Sequence, residues 1–358
     1  MEHIQFSKPT ISLDEEDYQN IREVFESGWV SIGKYVDKLE NEFRQRFNVN
    51  HAIACSCCTQ GLMIALKAAG WRNKRIAVPA FTWPSTVFAL ESNIGNIPVF
   101  CDIDPKTWIM DLGSLDENSY DAVLAVDTFG NQADIKTDKP LIIDAAHGFN
   151  LEKLGHRGIA EVISFSFTKI VTASEGGMIL TNYDEIAKTA YELRRLASRM
   201  EEVNALIALT SMKKYDWFYD AKLKIIDTYI KSFDFNFTLQ QIPECTNHSV
   251  FSILLNNSYV RDAIANALRG SNIEIKTYYE PLVEGLVNTD QVFSRIISLP
   301  TYPEIASKQE FICSLINDSV KKISGKDATH PGIPLPGKTY LIESGYLMNY
   351  LRRETKLK

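Results

Sequence analysis

The sequence predicts an α/β fold, a mostly parallel sheet with helices on both faces, followed by a smaller α/β unit. Three observations carry this. Short apolar runs alternate with helical stretches between about residues 52 and 181. The chemically distinctive polar residues fall where those runs end, and ligands of open parallel sheets sit at the carboxyl ends of strands. Beyond Asp184 the pattern turns helical and charged, then returns to a shorter mixture of strand and helix.

The elements follow in order. Ser12-Leu13-Asp14-Glu15 has the form of a capping box and opens a helix that Gly28 ends. A second helix runs from about Tyr35 to Phe47, with Val36, Leu39, Phe43 and Phe47 on one face. Ala52–Cys55 reads as a strand and Gln60–Ala69 as a helix. Arg75–Val78 reads as a strand and Pro84–Ser92 as a helix. Ile97–Cys101, Asp121–Val126, Pro140–Asp144, Val162–Ser166 and Met178–Thr181 read as buried strands of a mostly parallel sheet. Asp184 to Tyr229 reads as a long charged helix linking two domains. In the smaller unit, helices are expected near Tyr259–Leu268 and Lys308–Ile323, and a strand at Ile296–Leu299. Gly325–Lys338 is rich in Gly and Pro and reads as a linker before an apolar tail. The expected division is a large domain at 1–210, a small domain at 211–325, and a linker and extension at 326–358.

Composition bounds the function. The chain has 358 residues, 45% hydrophobic and 23% charged, with a net charge of −7. That is enough chain for roughly two domains. No long Lys/Arg run appears, which argues against nucleic-acid or membrane-surface binding. The six cysteines show no zinc-ligand spacing, and free thiols in a reducing compartment are the simpler reading. The start MEHIQFSKPT lacks the form of a signal peptide, and no apolar stretch is long enough to span a membrane. A cytoplasmic protein without a metal site is expected.

The central motif is Asp144-Ala145-Ala146-His147, then Ser164-Phe165-Ser166-Phe167-Thr168-Lys169, then Ser174-Glu175-Gly176-Gly177. Each piece suits pyridoxal phosphate (PLP). A lysine at a strand end can form a Schiff base with the cofactor's aldehyde and later shuttle protons. A carboxylate at the end of the preceding strand can pair with the pyridine nitrogen and keep the ring electron-withdrawing. Ser164 can donate to the phosphate. The paired glycines allow close backbone approach or a sharp return into the next strand. Cys57-Cys58-Thr59-Gln60-Gly61 lies between a strand and a helix, where free backbone N–H groups suit phosphate. In Phe81-Thr82-Trp83-Pro84, Thr82 reads as an N-cap, and the Trp83 ring is placed to stack on a cofactor or to pack in the core. Arg194, Arg195 and Arg199 read either as a solvated helix face or as anion ligands.

These motifs resemble the DegT/DnrJ/EryC1/StrS sugar aminotransferases, PLP enzymes of fold type I, over about residues 8–324. Gly28-Trp29-Val30-Ser31-Ile32-Gly33, Val78-Pro79-Ala80-Phe81-Thr82-Trp83, the stretch 98–104, the stretch 127–134 and Ser298-Leu299-Pro300 are similar to family segments. The resemblance implies that Lys169 carries the cofactor, Asp144 meets the pyridine nitrogen, His147 lies near the phenolic oxygen and Trp83 stacks on the ring. It implies phosphate binding by Ser164 and the backbone of Cys58, Thr59 and Gln60. It also implies a homodimer that moves an amino group from glutamate to a nucleotide-linked keto sugar. Sugar dehydratases of the same fold replace the lysine with histidine, and this chain keeps Lys169. Cys57-Cys58-Thr59 stands where the family has Ser-Gly-Thr. Ala197-Ser198-Arg199-Met200 stands for Asn-Tyr-Arg-Met, after a shortened loop, and Ser166 and Phe167 replace His and Pro. These departures motivate the alternative of a non-catalytic or regulatory PLP-fold protein.

Overall fold

A computed structural model describes residues 2–326, apart from residues 10, 94 and 243. The first two residues of the expected linker, Gly325 and Lys326, end a helix; the remainder and the apolar tail lie outside the described residues.

Helix α1 (Glu15–Ser27) starts on a capping box, set two residues later than expected. The Asp14 carboxylate accepts from the Asp17 amide at 2.9 Å, and the Asp17 carboxylate accepts from the Asp14 amide at 3.1 Å. Asp17 also accepts from the Thr210 hydroxyl at 2.7 Å, which fixes the choice of cap. Gly28 closes the helix at φ 70°. Helix α2 (Lys34–Phe47) has no side-chain cap of its own. A buried carboxylate far along the chain replaces it. Glu202 accepts from the backbone N–H groups of Gly33, Tyr35 and Val36 at 2.8, 2.8 and 3.0 Å.

The seven-stranded sheet has β1 (His51–Cys55), β2 (Arg75–Pro79), β3 (Ile97–Cys101), β4 (Ala122–Val126), β5 (Leu141–Asp144), β6 (Ala160–Ser164) and β7 (Gly177–Thr181) in the order β1-β7-β6-β5-β4-β2-β3. Strand β7 runs antiparallel to both neighbours, and the remaining pairs are parallel. Strand alternation sorts the apolar residues between two faces. Ala54, Ala77, Val123, Ile143 and Ile163 meet α1, α2 and α6 (Glu202–Lys213). Ile53, Ile76, Leu124, Ile142 and Val162 meet α3 (Cys58–Ala68), α4 (Pro84–Glu91) and α5 (Asp184–Ala197). Both faces are covered, which explains the nearly continuous apolar strands.

The long helix expected from Asp184 to Tyr229 is three helices: α5, α6 and α7 (Tyr215–Ser232). The break after α5 has a cause. Ser198 turns inward, and its hydroxyl meets the Ser56 backbone N–H at 3.1 Å and the Ser56 hydroxyl at 2.9 Å. Helix α7 joins two cores: Tyr215 and Tyr219 pack in the first, and Ile225, Ile226 and Tyr229 in the second. That second core rests on an antiparallel sheet ordered β10 (Ile296–Leu299), β9 (Phe251–Leu254), β8 (Thr238–Leu239). Around it stand α8 (Ser258–Gly270), α9 (Val287–Arg295) and α10 (Gln309–Lys326). The sequence reading found β10, α8 and most of α10, and it missed β8, β9 and α9.

Candidate active site

The polar motifs meet at the carboxyl ends of β1, β2, β5 and β6, around a cavity of about 520 Å³. That volume lies within the range of small-molecule sites. Lys169 sits in the turn after β6. The turn is fixed by its own backbone: the Lys169 N–H donates to Ser166, and Ala173 N–H and the Thr172 hydroxyl both donate to the Phe165 carbonyl. The return into β7 needs Gly177. A Cβ there would lie 2.8 Å from backbone atoms of Cys57 and Cys58, so the strand start rests directly on the turn that opens α3.

Lys169 Nζ lies 2.8 Å from His147 Nε2. His147 Nδ1 lies 2.7 Å from the Ser249 hydroxyl, and the Tyr279 hydroxyl lies 3.3 Å from Nε2. Burial pushes the His147 imidazole well below its usual range, and the positive charges of Lys169 and Lys222 add to this. The ring is therefore neutral, accepts at Nε2 from the lysine, and donates from Nδ1 to Ser249. Burial lowers the Lys169 amine to about 8, against the opposing pull of the Asp144 and Glu175 carboxylates.

Asp144 ends β5 and is 4% exposed. Its carboxylate accepts from the Thr86 hydroxyl at 2.7 Å and from the Ala146 amide at 3.1 Å. Thr86 is in turn paired with Thr82 at 3.0 Å. Burial raises the carboxyl pKa, while the Thr86 and Ala146 hydrogen bonds and Lys169 oppose the rise. Thr82 does not cap α4. Trp83 holds that position with Pro84 first in the helix, and the Thr82 side chain is spent on Thr86. Trp83 lines the cavity at 54% exposure and meets Tyr278 edge-on at 6.0 Å. So exposed a ring is not a core residue.

Ser164 and Thr59 line the cavity, as do Cys57 and Cys58. Helix geometry leaves the first-turn amides of Cys58 and Thr59 without intrahelical acceptors. Gln60 differs. Its backbone N–H donates to Cys57 Sγ at 3.5 Å, and it is not among the lining residues. The sulfur thus takes the capping place that the hydroxyl of a serine would fill. Cys58 points its thiol toward Asp144 Oδ1 at 4.0 Å and the Val162 carbonyl at 3.8 Å, and burial holds it protonated. Of the three arginines, Arg194 is buried and paired with Glu40 at 3.4 Å, a structural role. Arg195 and Arg199 are exposed.

The site also contains residues that the motifs did not show: Thr86, Ser249, Tyr279, Lys222 and Thr301. One signal was readable. Lys222 interrupts an apolar stripe of α7 formed by Tyr215, Tyr219, Ile226 and Tyr229. No group of three or more metal-ligating side chains occurs among the described residues, and no helix among them is long and apolar enough to cross a membrane.

The residues present fit PLP. A buried carboxylate ends one strand, a lysine with a depressed pKa stands after the next, and a helix N-terminus opens beside them. The comparisons agree. The sequence matches the DegT/DnrJ/EryC1/StrS aminotransferase family over residues 11–316. It is 26% identical to GDP-perosamine synthase of Escherichia coli O157:H7, with 89% of this chain and 99% of that protein covered. The fold matches the crystal structure of DesI in the presence of its TDP-sugar product, at a TM-score of 0.81 and 23% identity, covering 91% of this chain and 96% of that one. It matches the crystal structure of NtdA from Bacillus subtilis with bound cofactor PMP at a TM-score of 0.76 and 21% identity, covering 88% of this chain and 86% of that one.

Proposed function

Because the chain belongs to the DegT/DnrJ/EryC1/StrS aminotransferase family, we propose that it uses PLP to move an amino group from glutamate onto a nucleotide-linked keto sugar. The observation that carries this is the Lys169–His147 contact at 2.8 Å beside the buried Asp144. PLP, when bound, supplies an aldehyde and an electron-withdrawing ring. The rest is the work of side chains. Asp144, oriented by Thr86 and Ala146, would pair with a pyridinium nitrogen. The first-turn amides of Cys58 and Thr59, with the Ser164 hydroxyl, would bind the cofactor's phosphate. Gln60 contributes the shape of that turn rather than its amide, which Cys57 already occupies. Trp83, which lines the open cavity, would offer its flat face to the ring. Lys169 would hold the cofactor through its amine and, once freed, would take up and return the proton at the donor's α-carbon. An amine lowered to about 8 can do both near neutral pH. His147 stays neutral, accepts from the amine, and keeps it aimed.

Relatives named GDP-perosamine synthase support a sugar nucleotide as acceptor. The retained Lys169 favours transamination over dehydration. A homodimer in the cytoplasm is part of the proposal, and a light-scattering mass of one chain counts against the dimer. The test of function has two steps. Purified protein mixed with PLP shows a visible absorbance band that borohydride removes and that Lys169→Ala lacks. Nucleotide-linked 3-keto and 4-keto sugars are then screened with glutamate for the mass change of amination. A wild-type protein that shows the band yet never converts PLP to its amine form with any donor ends the transaminase reading.

A further inference from the structure

Four lysines line the cavity: Lys8, Lys169, Lys222 and Lys276. Two are answered by carboxylates at the rim. Lys8 pairs with Glu304 at 2.9 Å, and Lys276 with Glu274 at 2.8 Å. Lys169 is held by His147. Lys222 is different from all three. It is 6% exposed, and its Nζ donates to the neutral Thr301 hydroxyl at 2.6 Å. Burial alone lowers its pKa to about 7, with no acidic neighbour to oppose it. A buried ammonium answered by one hydroxyl is costly, and such groups are normally paired. Placing that charge in the wall of a reaction cavity leaves one economical partner, an anion that arrives with the substrate.

The position narrows the anion. Lys222 comes from α7 and Thr301 from the turn after β10, whereas the proposed phosphate anchors come from α3 and β6. The cavity thus holds two anion-seeking places on different elements. The charge of Lys222 is felt at His147, which touches the Lys169 amine. Lys222 and Lys169 line the same cavity, so a group bound to Lys222 occupies the space that the reacting amine faces. An amino-acid donor carries a carboxylate one bond from its α-carbon.

We propose that Lys222, supported by Thr301, is the anchor for a carboxylate of the amino-acid donor. This rests on the transaminase reading and assigns its donor site. The carboxylate accepts from the ammonium beside the Thr301 hydroxyl, and the amino group of the same molecule is turned toward Lys169. The α- and γ-carboxylates of glutamate offer the same chemistry, and glutamine, which has only the first, separates them.

The experiment uses PLP-loaded wild type, Lys222→Met and Lys222→Arg. Single-turnover rates are followed by cofactor absorbance against glutamate and glutamine concentration, and 2-oxoglutarate binding is followed by calorimetry. In Lys222→Met the cofactor band is unchanged. The glutamate concentration for half-maximal rate rises about 10- to 100-fold, the usual size of a lost charge-assisted hydrogen bond. Calorimetric affinity for 2-oxoglutarate falls in parallel, and Lys222→Arg recovers most of both. An equal rise for glutamine assigns the α-carboxylate, and an unchanged glutamine curve assigns the γ-carboxylate. Glutamate curves within about twofold of wild type overturn the anchor. So does a defect confined to the sugar nucleotide. If wild type transfers no amino group at all, the transaminase reading fails by itself. Calorimetry still decides the anchor: loss of 2-oxoglutarate binding in Lys222→Met supports it, and equal binding overturns it.

Discussion

Lys169 is an amine whose charge the fold has made conditional. Burial brings it to about 8, and neutral His147 accepts its hydrogen bond. Only the unprotonated amine attacks an aldehyde, so capture of PLP should follow the free-amine fraction. Below pH 8 that fraction falls roughly tenfold per unit. Stopped-flow mixing of cofactor-free protein with PLP should therefore show a rate that rises with pH and levels off above about 8. A rate still rising at the pKa of an ordinary lysine would mean that burial does not tune the amine. Asp144 makes a second residue-scale prediction. Asp144→Asn keeps the shape and the Thr86 contact but loses the charge that holds a pyridinium. PLP should still bind, and the single-turnover rate with glutamate should drop by about a hundredfold or more. A wild-type rate would remove Asp144 from the mechanism. Both residues were legible in the sequence because Asp144 ends one strand and Lys169 follows the next, inside one compact motif. Ser249 and Tyr279 were not, since they reach His147 from 102 and 132 residues away along the chain.

At the scale of elements, the site depends on one close approach. The first residue of β7 lies against the turn that opens α3, with Gly177 registered opposite both Cys55 and Ser164. Both sides of the contact are backbone, so neither can give way as a side chain tip would. Gly177→Ala should cost about 1–3 kcal/mol of stability and push the α3 amides out of place. Thermal melts and PLP titration check it, and unchanged PLP affinity would separate the turn from phosphate binding. Gly28→Ala is the contrast. Nothing lies within 4 Å of the added Cβ, and only φ +70° resists it. Its cost should be about 1 kcal/mol, with no effect on PLP. Most strands of the large sheet were readable because burial on both faces makes them nearly continuously apolar. The run from Asp184 to Tyr229 misled because its break at Ser198 is made by a partner distant in the chain, Ser56 in the turn after β1. Strand β8, two residues long, has no periodicity to read.

Across the whole molecule, α7 ties the two cores together and carries Lys222 where they meet the cavity. A site built for an anion leaves the empty protein less stable. The folded-state pKa of Lys222 is about 7, and an unfolded lysine titrates near about 10.4. Between these values the unfolded chain binds a proton that the folded chain does not, so this lysine makes stability rise with pH across that window. Below it the full penalty applies. Lys222→Met removes the penalty while filling similar space. The variant should melt several degrees higher than wild type at pH 7, at roughly 1.3 °C per kcal/mol for a chain of this size. The gain should shrink as pH approaches about 10, where the lysine is neutral in either state. Lys169 is present in both proteins, so its own titration cancels from the difference. Added 2-oxoglutarate should stabilise wild type by about 2.7 kcal/mol at a hundred times its dissociation constant, and the variant far less at the same concentration. Melting curves of the two proteins across pH, with and without the dicarboxylate, measure both effects together. A variant that melts lower than wild type at pH 7 would show that Lys222 holds the fold rather than waiting for a ligand.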